Sequence, residues 1–332
     1  MSEATRARKS GAKIVGHETV LFTVLAIEIL FFQLAGRNFG TFENLANIGR
    51  HSAEIGLLAL VMMPVILTGG IDLSVGASLA LCAVVFGKLW RDVGLPWPVA
   101  GAGAVLLGGL AGGFNAGLIT RLRLPPLIVT LGTYSLYRGL AEALTQGTDA
   151  FTHFPESFLW LGGGQLAGLP VQMWILAAIA TGIWVLIHRT VIGRSFRAIG
   201  FSPEGTRYAG IPVNRRLALA YILSGLVSGI AALTYTARFG TAKADAGTGY
   251  ELAAITAVVL GGTSIFGGTG SVHGTLLGVA AIAVLGNGLS RIPATMSSAS
   301  ELTGVLTGAL LIVALMAGVL PGLITKRSRK PV

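Results

Sequence analysis

Charge is scarce in this sequence. Only 11% of its 332 residues are Asp, Glu, Lys or Arg, where soluble globular domains average about a quarter. An ordinary water-soluble fold is excluded on that ground. Cysteine is scarcer still: Cys82 stands alone, which rules out an intramolecular disulfide and a cysteine-based metal cluster. The five histidines, His17, His51, His153, His188 and His273, are scattered and form no H-E-x-x-H pair. There is no G-x-x-x-x-G-K-[ST] phosphate loop and no G-x-S-x-G nucleophile elbow. The chain shows no catalytic machinery of its own and calls for no cofactor.

What is abundant is apolar sequence, 53% of the chain. Several runs approach the roughly 20 residues that cross a bilayer. The runs predict an all-α, polytopic transmembrane helix bundle in a single domain, 1–332. About ten spans are expected, at 19–36, 53–70, 75–90, 97–120, 127–144, 171–188, 217–236, 251–266, 272–289 and 302–323. The third and eighth are short and flank glycine breaks. An even count puts both termini on one side. With the N-terminus inside, sixteen basic residues fall in inner segments and eight in outer ones, the sense of the positive-inside rule. Segments 1–18, 189–216 and 324–332 are then cytoplasmic. The same rule accounts for the net charge of +10 without nucleic acid. The basic start has no small-residue cleavage site after its apolar run, so it reads as a tail and an uncleaved first span.

The longest outer loop, 145–170, holds Phe151, Phe154, Phe158 and Trp160. They read as an interfacial belt or as a docking surface for an external protein, the belt being favoured. The 48 glycines are about twice average usage, and small residues let membrane helices approach closely. Their crowding in 97–120 predicts a span buried among other helices. Arg138 and Glu142, spaced i, i+4, are expected to pair on one helix face.

Two breaks interrupt the apolar pattern. One is LTGGIDLSVGA (67–77), with Gly69, Gly70, Asp72 and Ser74. The other is LGGTSIFGGTGS (260–271), with Gly261, Gly262, Thr263 and Ser264. Irregular backbone at membrane depth persists only where protein or a wet cavity satisfies it, and paired breaks in a transporter point to the pathway. Asp72 reads either as a pathway or gate residue or, with Ser74, as a helix N-cap. Asn115 and Asn287 read as amides bonding across helices, with pathway lining as the alternative.

The stretch that organises the chain is 189–216, with six arginines and one acid, Glu204. Ser202 caps a short helix, Pro203 takes its first position and Glu204 complements its dipole. Gly210 ends it and Pro212 blocks its continuation. About seven residues, up to Ala209, cannot stay helical alone in water. Such a helix needs a partner to dock on, although arginines alone would make only a topogenic loop.

Three segments carry a family resemblance: ILTGGIDLSVGA (66–77), AIGFSPEGTRYAGIPV (198–213) and AAITAVVLGGTSIFGGTGSVHGTLLG (253–278). Together they resemble the membrane permease of bacterial ATP-binding-cassette sugar importers, in the ribose, rhamnose and autoinducer-2 branch. The resemblance runs from about residue 18 to 318. It implies a type II importer-like permease in lipid, working as a dimer with a second permease subunit. Two cytoplasmic ATPase subunits and a periplasmic sugar-binding protein complete the complex, and ATP hydrolysis sits on the partner. It makes Ser202, Pro203, Glu204, Arg207, Tyr208, Ala209, Gly210 and Ile211 the element that couples to the ATPase. Where the family ends this helix with A-x-x-x-G-I, this chain has Thr206-Arg-Tyr-Ala-Gly-Ile211, a mild departure. The rival reading is an ion-coupled secondary transporter. It demands coordinating polar groups at depth, of which the sequence offers few beyond Asp72. A membrane enzyme lacks a His, Cys or carboxylate cluster.

Overall fold

The computed structural model describes residues 17–147, 150–293 and 298–327. Each of the ten expected apolar stretches contains a helix: α1 (His17–Ala35), α2 (Phe42–Leu67), α3 (Val75–Arg91), α4 (Trp97–Thr120), α5 (Pro126–Leu144), α7 (Val171–Trp184), α10 (Val213–Phe239), α11 (Tyr250–Leu260), α12 (Val272–Arg291) and α13 (Ala299–Arg327). Three short helices lie between them: α6 (Glu156–Gly163), α8 (Val191–Phe201) and α9 (Pro203–Tyr208). A two-residue hairpin, β1 (Gln165–Leu166) with β2 (Leu169–Pro170), follows α6.

Helices are not yet spans. Among the described residues six are long and apolar enough to cross a membrane: α1, α2, α4, α7 with its π-helical end Val185–Arg189, α10 and α12. The expected eighth span, 251–266, is cut short, because α11 stops at Leu260 where Gly262 turns to φ +86°. Its 11 residues rise only about 16 Å at 1.5 Å each, half the hydrocarbon core.

α2 is the axis of the bundle. Thr41 caps its start, accepting from the Asn44 amide at 3.3 Å. Every residue from Leu57 to Leu67 is buried, so this second half of the helix is apolar all round because protein surrounds it. α7, α10, α11 and α12 pack about it. α4 lies on α10 through glycines, as a methyl at Gly108 would stand 2.2 Å from the Gly225 carbonyl oxygen. The opposite face of α4, with Leu106, Leu110 and Phe114, is exposed in this single chain. The expected all-round burial of α4 is thus corrected to one face.

Other expectations are revised by long-range contacts. Phe151, Phe154 and Phe158 are core residues, not a belt: Phe154 stacks on Phe86 at 5.3 Å and Phe158 lies 4.7 Å from the same ring. Trp160 alone of the four is exposed. Arg138 does not pair with Glu142; its guanidinium donates to the carbonyls of Ala244 and Ala246. At the end of α3, Arg91 and Lys88 both bond Asp92, and hold its carboxyl below the usual range. The segment 189–216 is mostly helix, for α10 begins directly after Pro212. Helix α1 already includes residues 17–18, and α13 includes 324–327; the rest of both expected tails lies outside the described residues.

Candidate coupling and transport site

The mini-helix forms as its capping residues dictate. The Ser202 hydroxyl accepts from the Gly205 amide at 3.0 Å. Gly210 takes φ +78° and ends the helix, a left-handed position that suits glycine. Thr206 alone on α9 is buried, its hydroxyl donating back to the Ser202 carbonyl at 2.8 Å. Glu204, Arg207 and Ala209 face outward. Tyr208 is 91% exposed, an aromatic with nothing of this chain over it. Ile211 is half-buried.

α9 stands on α8, which the arginines concealed in the sequence. Thr190 caps α8, accepting from the Ile192 amide at 3.1 Å. Gly193, Phe196 and Ile199 are buried at spacing three, the periodicity that could have revealed this helix. Gly200, near its end, fits between the two breaks. A methyl there would lie 2.1 Å from the Leu67 carbonyl oxygen and 2.2 Å from the Gly268 nitrogen. The Gly268 amide donates to that same Leu67 carbonyl at 2.9 Å. The breaks therefore close on each other, and α8 closes on both, two residues before Ser202, the cap of α9.

The contacts at this junction are not all those the sequence singled out. Gly69 turns the chain at φ +83°, and Gly70 lies under the Tyr221 hydroxyl, which a methyl there would meet at 2.4 Å. On the second break Gly267 and Gly268 meet the first. Gly261 packs instead against Gly274 of α12, and Gly262 lies against His17. Thr263 is buried, and Ser264 bridges its own loop, its amide donating to the Thr269 carbonyl at 3.0 Å. Gly200, Phe201, Tyr221, Gly267 and Gly268 were missed; only the second glycine pair in LGGTSIFGG signalled any of them.

Asp72 lies deeper, buried and fully bonded. One carboxylate oxygen accepts from the Ser74 hydroxyl at 2.6 Å and the Ser74 amide at 3.0 Å. The other accepts from Ser224 of α10 at 2.7 Å. Asn115 of α4 donates to the Ser74 hydroxyl at 2.9 Å. The carboxylate thus ties the entry of α3 to α4 and α10. Asn287 is far along the chain from this group. It exchanges two hydrogen bonds with Asn44, at 2.8 and 3.1 Å, and also lines a cavity of about 320 Å³. A buried ion pair joins α2 to α10, where Arg238 bonds Glu54 at 2.9 Å.

Among the described residues no group of three or more His, Cys, Asp or Glu is placed to hold a metal. What the site offers is mechanical: an exposed short helix, joined through α8 to two irregular segments inside an apolar bundle.

Residues 44–315 match the family described as branched-chain amino acid transport system / permease component. The chain belongs to that permease family. The permease is 38% identical over 305 residues to the autoinducer 2 import system permease protein LsrD of Escherichia coli O9:H4, with 90% of each chain covered. The same identity and coverage hold for LsrD of E. coli K12 and of Shigella flexneri. No solved structure matches it. The permease is a multi-pass membrane protein, and nothing in it favours ion coupling.

Proposed function

We propose that this permease is the membrane subunit of an ATP-driven importer, and that α9 is its contact with a separate ATPase. The observation that carries this reading is the placement of Gly200. It presses on both breaks, two residues before the cap of a helix that displays Tyr208. A push on α9 would reach both irregular segments at once. Packed glycine backbones yield little, so the motion would arrive as a shift and not be absorbed. Gly69, Gly70, Asp72, Ser74, Asn115, Gly261, Gly262, Thr263, Ser264 and Asn287 remain the candidate pathway or gate. Their clustering at breaks and buried polar contacts supports that choice.

The cargo in this reading is a monosaccharide or a related polyol-like solute such as autoinducer 2, the solute in the relatives' name. A periplasmic binding protein delivers it, and a second permease subunit, identical or not, completes the pathway. The permease itself hydrolyses nothing. About ten membrane-embedded helices in one domain, with both termini and 189–216 in the cytoplasm, fit the distribution of basic residues.

Reconstitution tests this. Permease, ATPase subunit and binding protein are placed in proteoliposomes, and labelled autoinducer 2, rhamnose and ribose are offered in turn. Uptake of one of them is expected only with ATP on the ATPase side. Uptake driven by a proton or sodium gradient, without the ATPase, would overturn the reading.

A further inference from the structure

We propose that the permease holds a binding site for a small anion in the cavity beneath its arginine-rich segment. The cavity measures about 580 Å³, within the range of small-molecule sites. It lies between the first glycine break, the start of α5, α9 and the start of α10. Arg123 and Arg207 line it, and no carboxylate does. Neither arginine makes an ion pair among the described residues. A guanidinium stays charged at all relevant pH and offers a fork of donors matched to phosphate or carboxylate.

The second observation is Tyr221, which lines the same cavity. Its side chain is fully buried, yet its hydroxyl has no hydrogen-bond partner. Native structures rarely leave such a donor unused. It lies over Gly70, which also lines the cavity. A ligand oxygen between Tyr221 and the arginines would satisfy the hydroxyl and neutralise the charge. Pro125 and Pro126 place the positive end of α5 on the same wall, which adds to the attraction. The chemistry recognised is an ionised phosphate or carboxylate. It belongs to a phosphorylated small solute or to the phosphate of a lipid headgroup. Arg207 lies on α9 as well, so phosphate binding is measured without the ATPase subunit.

The test uses the full chain in phosphatidylcholine nanodiscs and radiolabelled inorganic phosphate, measured by equilibrium dialysis at constant ionic strength. Saturable binding that chloride does not displace is expected. Tyr221→Phe and Arg123→Asn should each weaken it about tenfold, the scale of one charge-assisted hydrogen bond. Arg123 has φ +56°, which asparagine tolerates, so that variant keeps the test valid if the buried one misfolds. Loss of phosphate binding in discs containing phosphatidylglycerol assigns the site to a headgroup, and unchanged binding assigns it to a soluble anion; either upholds it. An adventitious ion only, bound equally by parent and variants, would overturn the site. So would variants that bind phosphate like the parent but lose the ATPase, since the arginines would then serve a protein contact.

Discussion

The Gly268 amide and the Leu67 carbonyl share a hydrogen bond of 2.9 Å, across 200 residues of chain. It joins the loop after α11 to the last turn of α2. Gly200 lies against both partners, so three segments from three parts of the sequence meet backbone to backbone. No side chain can be inserted there without moving one of them.

That contact makes the first prediction. Gly200→Ala is expected to destabilise the permease by about 1–3 kcal/mol, as overpacking does, and to bring uptake to background. Gly69→Leu and Gly262→Leu should also abolish uptake, because left-handed backbone costs an L-residue roughly 1–2 kcal/mol. Membrane insertion should persist in all three. Thermal midpoints in detergent and uptake in cells measure the two effects; wild-type uptake in Gly200→Ala would remove the junction from the mechanism.

Tyr208→Ala separates docking from folding. The side chain is almost wholly exposed in this chain, so its loss should leave the thermal midpoint unchanged. Association with the ATPase subunit is expected to weaken by about 2 kcal/mol or more if the ring is an anchor of the contact. Pull-down and ATPase stimulation by loaded binding protein give the readout. The pair Glu204→Lys with Arg207→Glu probes charge on the same face. If both variants assemble and transport as the parent does, 189–216 is a topogenic segment only.

Orientation is accessible to thiol labelling. Cys82 is buried and is first replaced by Ala. Single cysteines then go to Gln165 in the β-hairpin and Arg194 on α8, both exposed. An impermeant reagent on cells with an opened outer membrane should label position 165 and spare 194. The opposite pattern would invert the proposed topology.

The Arg238–Glu54 pair predicts a non-additive result. Arg238→Met strands a buried carboxylate and is expected to lose about 3–5 kcal/mol, whereas adding Glu54→Gln should restore much of that loss. Thermal unfolding of single and double variants measures the coupling. Equal losses that simply add would mean that the two groups do not act together.

The helices and the capped mini-helix were legible because both depend on residues close in sequence. Apolar run lengths located the main helices, though not the early end of α11, and Ser202, Pro203 and Gly210 placed the ends of α9. Long-range pairings were not legible. Phe154 gives no sign in its own segment that Phe86 awaits it, so aromatics of a core looked like a belt. Arg138 had an obvious neighbour in Glu142, yet carbonyls more than 100 residues away took its donors. The breaks could be found one by one, but their closure on Gly200 could not, since glycine carries no pattern that names its partner.

Glu54 and Arg238 also bear on how the protein is made. They are 184 residues apart, and synthesis runs from the N-terminus. When α2 leaves the ribosome it carries a carboxylate in the middle of an apolar segment, with the partner not yet translated. A charge of that kind is disfavoured in hydrocarbon. The carboxylate of α2 therefore waits, through the synthesis of α3 to α9, for the guanidinium that α10 brings to it.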